Sequence, residues 1–482
     1  MPPFFSKNIS TNICALFAPL LLSSCSSFDV ETLVQKTNED VATFTQGHLQ
    51  LSNRRQSPEL YAKANELLVQ SAEQGLSQND AVHIALINTP ALQALLARHA
   101  ANGAIAAQGG QIANPLLTLE NIRRGDASDF SRMLSFSLID LLSLPQRQNL
   151  AQNKISEVQL QMSIDVVTRV TQVRKAWVDA VAAKQILIYA NQVNEVAQAS
   201  TTLAQKMRDA GNFSQLQAAR QRAFYADAFT QLKTAQQREV SSRENLIRLL
   251  GLTEEQKSML RLPERLPDLP PAPIDAETIK DAANAERLDI RFAKKRLEFV
   301  ARQQGLTTLT SWSDVQLAVA RETGSQDVSL DSGANQKKDG ATKRSAQISF
   351  SLPIFNQGQL QRDAMNAATR VASYELENTM RNAASTLRET YSTYVTSYDI
   401  AQHYHVDILA LHEQILRENQ LRYNGMLISV FDLLADAREQ IHGVTAAILA
   451  EQAFWLADAG LQAEIIGAPN IANDQTLRNK DE

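Results

Sequence analysis

The chain has 482 residues, 44% of them hydrophobic and only 6% aromatic, and a formal net charge of −5. That length allows two or three ordinary domains, or one elongated domain built from a repeat. The acidic balance gives no support to a nucleic-acid partner, and two cysteines, Cys14 and Cys25, cannot build a disulfide framework.

Residues 1–24 read as a signal peptide. Lys7 supplies the positive charge, and Ile13 to Leu22 is an apolar run broken only by Pro19, short for a membrane span but right for a signal core. Leu22-Ser23-Ser24-Cys25 resembles a bacterial lipobox. That resemblance implies cleavage before Cys25 and acyl chains, palmitate among them, on its sulfur and its amine. Ser26, rather than an aspartate, resembles the outer-membrane sorting signal. This covalent lipid is the only non-protein group expected, with no cofactor and no metal. Residues 25–56 are polar and mixed and read as a lipidated linker.

A first structural repeat is expected over 57–262. Pro58 to Glu73 reads as a helix ended by Gly75. Leu76 to Asp80 offers cap residues for a helix reaching Gln108, with a break at Pro90 and a stop at Gly109-Gly110. The period then changes. Pro115 to Arg123 and Ser131 to Asp140 read as a hairpin, with Leu134, Phe136 and Leu138 on one face and Met133, Ser135 and Ser137 on the other. From Pro145 to Ala210 there is no glycine and no further proline, which predicts a helix about 95 Å long. Its Val166, Val170, Val173, Trp177 and Ala180 follow coiled-coil spacing. The pattern breaks at Ala210-Gly211-Asn212, and a further helix runs from Ser214 to Leu250, ended by Gly251.

Residues 263–273 hold five prolines and read as a stiff extended connector. A second repeat is expected over 274–467. Asp275 to Gln304 is helical in pattern, with Gly305 as its stop. Val315 to Ala320 alternates, Thr323 to Lys343 reads as a polar loop, and Ile348, Phe350 and Leu352 alternate again. Gln359 to Asn424 reads as one uninterrupted helix, with Met380, Ala384, Leu387, Tyr391, Tyr394 and Tyr398 at coiled-coil spacing. A last helix ends near Ile466, and 468–482 is expected to be a disordered tail.

The order helix, strand, strand, long helix, helix therefore occurs twice. Ser135-Phe136-Ser137-Leu138 recurs as Ser349-Phe350-Ser351-Leu352, and Arg208-x-x-Gly211 recurs as Arg422-x-x-Gly425, both 214 residues apart (349 − 135 and 422 − 208). Four strands cannot close a barrel, yet each has one apolar face, and no other strands are available to cover it. A membrane barrel closed with strands from other chains satisfies both conditions. Trp312 and Phe355 stand where an interfacial aromatic belt would lie. The long helices are too polar for a bilayer and are expected to project from the base of the barrel.

Several stretches together resemble the outer-membrane efflux channel family of the TolC type, over about residues 57–467. They are Leu76 to Leu92, including Asn88-Thr89-Pro90-Ala91-Leu92; Gln108-Gly109 with Asn114-Pro115; Ser351-Leu352-Pro353-Ile354-Phe355-Asn356-Gln357-Gly358; and Arg422-Tyr423-Asn424-Gly425 with Ser429 to Arg438. The resemblance implies a mainly α fold with a small antiparallel β part, in which a homotrimer forms a 12-stranded transmembrane β-barrel continued by a periplasmic α-helical coiled-coil barrel. It implies a passive exit duct joined to a periplasmic adaptor protein and an inner-membrane pump, with adaptor contacts at the tips near Gly211 and Gly425. It also implies a periplasmic gate, with Asp432 matching one family aspartate and Tyr423 able to bond across the closed tip. A second family aspartate falls on Ala435, with Asp436 adjacent. One extra residue separates Gly425 from Ser429 compared with Gly211 and Ser214, and Leu141-Leu142-Ser143-Leu144-Pro145 lacks the Phe-Asn-x-Gly found after the fourth strand.

The sequence holds no Walker loop, dinucleotide fingerprint or nucleophile elbow. His403 and His405, at i and i+2, point to different helix faces. Catalysis is not expected, and a hydrolase reading lacks a constellation. The competing reading is a structural or adaptor periplasmic coiled-coil lipoprotein without a pore. Cargo is not written in the sequence.

Overall fold

The computed structural model describes residues 28–51, 57–71, 75–124, 127–279, 287–310, 315–329, 335–350, 352, 354–355 and 357–468. The signal peptide, Cys25, Trp312, Pro353, Asn356 and the tail from 469 lie outside the described residues. The chain divides into two compact units, one of residues 1–30, 99–159 and 292–378 and one of 31–98, 160–291 and 379–482. Each unit draws on both halves of the sequence.

The first elements among the described residues are α1 (Val30–Thr45), α2 (Ser57–Gln70), α3 (Gln78–Asn88) and α4 (Pro90–Gly109). The segment read as a linker therefore carries a helix. An isolated helix of 16 residues is marginal in water, but α1 buries Leu33, Val34, Val41 and Phe44. Full burial of such side chains stabilises by about 1.5–3 kcal/mol each. Arg174 holds the far end of α1: its guanidinium stacks on Phe44 at 4.4 Å and donates to the Phe44 carbonyl at 2.7 Å.

The break before Pro90 falls at Thr89, as the proline requires. Strands β1 (Leu116–Arg124) and β2 (Ala127–Ser137) follow, and Leu138–Leu142 forms a short helix, α5, where the sequence pattern extended the strand to Asp140. Ser137 caps α5 by accepting from the Asp140 amide. Next come α6 (Leu144–Asp209) and α7 (Gln215–Leu250). The 66 residues of α6 span about 99 Å. Its predicted seam is buried throughout: Val166, Val170, Val173, Trp177 and Ala180 are each at most 3% exposed.

Helix α7 ends at Gly251, whose φ of +67° is the left-handed conformation that favours glycine. A β-carbon there would also lie 2.8 Å from the Thr89 Cα. Asn88 and Thr89 complete this joint. Thr89 donates its hydroxyl to the Leu249 carbonyl at 3.0 Å, and Asn88 donates to the Gly251 carbonyl at 3.0 Å. The Asn-Thr-Pro stretch thus ends one helix, starts another and satisfies the terminal carbonyls of a third.

After α8 (Glu254–Met259) the proline-rich connector is held by its carbonyls, since proline offers no N–H. Tyr398 donates its hydroxyl to the Pro270 carbonyl at 3.0 Å, and the Trp455 ring N–H reaches Pro267 at 3.2 Å. Tyr394 accepts from the Ile274 amide at 3.2 Å while Tyr391 donates to the Ile274 carbonyl at 3.3 Å. These tyrosines belong to the second predicted stripe, which is buried only in part. Tyr394 and Tyr398 are buried against Phe454, whereas Met380 is 50% exposed and Ala384 is exposed.

Helix α9 (Leu288–Thr310) passes through Gly305. One glycine costs a helix only about 1 kcal/mol relative to alanine and does not stop it. Strands β3 (Val315–Ser329) and β4 (Asn335–Phe350) are far longer than the alternating cores suggested, because most of the polar stretch 323–343 continues the ladder. A register shift falls between Thr323 and Ser325. The four strands form one antiparallel sheet in the order β1-β2-β3-β4.

The second long helix is also not uniform. Helix α10 (Gln359–His403) passes through a π-helical turn at Tyr404–Ile408 into α11 (Leu409–Asn424), and α12 (Val430–Ile466) closes the fold. In the second unit Arg174 donates to Gln462 at 2.8 Å, and Gln462 donates to Asp458 at 2.7 Å, tying α1, α6 and α12. Burial pushes the Asp458 carboxyl from 3.8 up to about 6, against the opposing pull of Arg174 and the Gln462 hydrogen bond. Because the folded value is raised, the stabilisation is present below about pH 4 and is lost as pH rises through 6. Asp458→Asn is expected to match wild type in thermal melting at pH 4 and to melt higher at pH 7.5, with the pH slope flattened.

Candidate functional site

Two features place side chains where function would need them: the two faces of the sheet, and the two helical turns read as tips. The sheet lies in the first unit and the tips in the second.

The strand registers define transverse rows on the sheet. On one face Phe136, Leu317 and Ile348 align, followed by Leu117, Leu134, Val319 and Ala346. Val315 and Phe350 extend this face at its helix-proximal end. Most of this face is uncovered, with Leu117 59% exposed, Val319 53%, Ile348 64% and Phe350 63%, whereas Phe136, Val315 and Leu317 are half-buried. The other face presents Ser135, Ala318 and Gln347 in one row and Met133, Ala320 and Ser345 in the next. One face is therefore apolar and largely exposed, while the opposite face is mainly small and polar, with Leu116, beside Ser135, and Met133 as the large apolar members of these two rows. β1 and β4 each have one edge without a strand partner among the described residues.

The predicted tip residues fall in two tight turns. In the first, the Gly211 amide donates to the Arg208 carbonyl and the Asn212 amide to the Met207 carbonyl, both at 2.9 Å. Gly211 has φ +77°. In the second, the Met426 amide donates to the Tyr423 carbonyl and the Leu427 amide to the Arg422 carbonyl, again at 2.9 Å. Here the left-handed residue is Met426, at φ +60°, and Gly425 has an ordinary φ of −79°. Both are the Schellman pattern of helix termination. Their separation is 215 residues (426 − 211) rather than the 214 of the Arg-x-x-Gly match, so the extra residue moves the left-handed position off the glycine.

The separation of 215 persists into the following helices. Ser214 caps α7 in a reciprocal box with Gln217, and Ser429 caps α12 in a reciprocal box with Asp432. Asp432 accepts from the Ser429 amide at 3.0 Å and from its hydroxyl at 2.7 Å. Those bonds hold its carboxyl below the ordinary range. The gate candidate is thus an exposed capping residue, structurally equivalent to Gln217. Tyr423 is 40% exposed. Ala435 is exposed, and the Asp436 side chain lies outside the described residues.

Between the turns lies a groove of about 850 Å³, lined by Met207, Phe213, Arg220, Tyr423, Met426 and Asp432 among others. Phe213 and Phe431 stack at its side with centroids 4.3 Å apart. This contact and the left-handed Met426 were not legible from the sequence motifs. The count of residues back from each capping serine is the signal that locates Met426.

No group of three His, Cys, Asp or Glu suited to a metal occurs among the described residues. His403 and His405 lie at the π-helical turn and meet different carboxylates, Asp407 at 2.8 Å and Glu451 at 3.5 Å. Cys25, the lipidation candidate, lies outside the described residues. Among the described residues no helix is long and apolar enough to cross a membrane.

No protein-family model matches the sequence, and no curated protein matches it. Solved structures do. A membrane protein from Pseudomonas aeruginosa shares 18% identity at a TM-score of 0.66, over 80% of this chain and 93% of that one. The outer membrane protein VceC from Vibrio cholerae shares 16% at 0.65, over 84% and 96%. The Campylobacter jejuni CmeC outer membrane channel shares 15% at 0.65, over 84% and 88%. The chain has the fold of the outer-membrane efflux channels. Two of the neighbours of this fold, OprN and CmeC, are outer-membrane channels.

Two substitutions separate the tips. Gly211→Ala is expected to cost about 1 kcal/mol of local stability, because a β-carbon disfavours the left-handed region, and Met426→Gly to gain up to about 1 kcal/mol. Hydrogen exchange at the Asn212 and Leu427 amides reads both. For Asp432 the folded value is depressed, so its contribution is present above the ordinary carboxylate range and is lost on acidification through the folded value. Protection of the α12 N-terminal amides, taken relative to the intrinsic exchange rate at each pH, is expected to fall on acidification in wild type and to be low and independent of pH in Asp432→Ala.

Proposed function

We propose that the chain is the outer-membrane exit duct of a tripartite efflux system. It passively conducts small molecules or ions from an inner-membrane pump and a periplasmic adaptor to the outside. The observation that carries this reading is the sheet, with its exposed apolar face, its mainly polar opposite face and, among the described residues, an edge of β1 and of β4 without a strand partner. A membrane barrel requires every backbone group to be paired, and one chain supplies four strands. Three chains supply twelve, with the apolar face toward lipid and the Ser, Ala and Gln face toward the lumen. The strand lengths of 9, 11, 15 and 16 residues meet the requirement for crossing a bilayer.

The long helices and their two capped turns then form the periplasmic extension, with the turns near Gly211 and Gly425 as adaptor contacts. Asp432 and Tyr423 face the groove at those turns and are the candidate gate. Cys25 carries the acyl anchor. Membrane affinity from acyl chains adds to that of the barrel, roughly 0.8 kcal/mol for each buried methylene. The names of the neighbours support this reading: CmeC is an outer membrane channel, and CusC was studied for transmembrane channel formation.

Purified full-length protein is expected to form discrete conducting pores in a planar bilayer and to migrate as a heat-resistant trimer. A coiled-coil lipoprotein without a pore would show neither, and that result would overturn the proposal. A susceptibility panel of dyes, detergents, antibiotics and metal salts on a strain lacking the chain, complemented by wild type and by Cys25→Ala, identifies the cargo class.

A further inference from the structure

The apolar face of the sheet ends in an unusual row. Arg132 on β2 pairs with Arg321 on β3, and Arg321 pairs with Arg344 on β4. Three arginines therefore stand side by side on one face, in register, with Leu119 completing the row on β1. Adjacent strands lie about 4.8 Å apart, so the outer two arginines are separated at the backbone by roughly 10 Å. All three are exposed. Arg123, also exposed, stands two rows further out on the same face, opposite Ser128.

In the arginine row and the rows on either side of it this face holds no Asp or Glu; by register Asp339 stands two rows further out, opposite Ser325. The nearby acids Glu120 and Glu322 belong to the opposite face, in a row with Ser131 and Lys343. The arginines are thus screened from those carboxylates by the sheet itself. Like charges directly opposite one another destabilise a sheet, and here the arrangement is repeated across two strand pairs. An anion between the guanidinium groups reverses its sign.

Position identifies the anion. On the helix-proximal side of the row the face is apolar, with Leu117, Leu134, Val319 and Ala346. On the other side it turns polar, with Asn121, Thr323 and Thr342 beside Phe130. The Arg132 guanidinium lies 4.9 Å from the Phe130 ring, an aromatic–cation pair at the polar edge. Charged side chains are least costly on a lipid-facing surface near the interface, where long cationic side chains reach the headgroups. Arginine presents a planar fork that matches phosphate oxygens.

The geometry points to a lipid-phosphate site. The Arg132–Arg321–Arg344 row binds the phosphate groups of anionic lipid headgroups at the membrane surface next to the strand hairpins. This inference rests on the proposal that the apolar face meets lipid. Adjacent guanidinium groups share a phosphate between strands, and the acyl chains lie along the apolar rows below.

The test uses full-length protein in detergent, titrated with phosphatidic acid, with phosphatidylcholine of the same acyl chains, and with inorganic phosphate. Retained ligand is read by native mass spectrometry. Phosphatidic acid is expected to bind at least tenfold more tightly than phosphatidylcholine. The triple variant Arg132→Gln, Arg321→Gln, Arg344→Gln is expected to lose that preference, and Lys343→Gln on the opposite face to keep it. Equal binding of the two lipids, or an unchanged preference in the triple variant, overturns the proposal. Inorganic phosphate bound as tightly as phosphatidic acid overturns the lipid assignment in favour of a free-anion site. Bilayer conductance of the same preparations separates the two levels. Wild-type pores without lipid preference reject the arginine site and leave the duct intact, whereas absence of pores rejects the duct. Conductance by the triple variant shows that it has folded.

Discussion

A β-sheet has two demands that this chain does not meet alone. Its edge strands carry backbone donors and acceptors that need partners, and its apolar face needs a non-aqueous surface. Among the described residues β1 and β4 each leave one edge without a strand partner, and Leu117, Val319, Ile348 and Phe350 are exposed on the apolar face. The alternation along β2, β3 and β4 keeps Ser135, Ala318 and Gln347 on the other side. A soluble protein would bury the apolar side against another layer. The proposed barrel instead gives lipid to one face, water to the other and a neighbouring chain to each edge.

The second unit meets its own demands internally. The connector between the repeats is rich in proline and so has carbonyls without neighbouring N–H donors, and Tyr398 and Trp455 supply the missing hydrogen bonds. Asn88 and Thr89 do the same for the end of α7. Helix ends at the turns are closed by Schellman bonds on one side and capping boxes on the other. These devices explain why motifs of the sequence recur where they do. The asymmetry between the turns is physical as well: one inserted residue places Met426, 93% exposed, in the backbone state that Gly211 occupies in the first repeat.

Much of this was legible in the sequence because the periods are long and the punctuation is strong. The glycine-free run after Pro145 became α6, and its heptad residues are buried, together with off-stripe neighbours such as Met162, Val167, Val178 and Val181. Period two was legible in β2 because Leu134 and Phe136 alternate with serines. It was not legible in the outer parts of β3 and β4, where polar residues continue the ladder and leave no hydrophobic signal. The helix α1 was missed because its apolar positions, Leu33, Val34, Val41 and Phe44, are sparse within a polar segment and gain order only by packing. The π-helical turn at Tyr404–Ile408 has no glycine or proline to announce it. At the candidate gate, Asp432 was found from the resemblance, but its bonds to Ser429 follow from the capping pattern. The arginine row needed strand register, since Arg132, Arg321 and Arg344 are far apart in sequence.

The account stands on which face of the sheet meets lipid. Spin labels placed one at a time at Leu134, Val319, Ile348, Ser135, Ala318 and Gln347 in bilayer-reconstituted protein measure this directly, through collision with oxygen and with a water-soluble paramagnetic complex. Labels at 134, 319 and 348 are expected to favour oxygen, and those at 135, 318 and 347 the aqueous reagent, giving a period of two along each strand. Equal aqueous access on both faces would contradict the barrel.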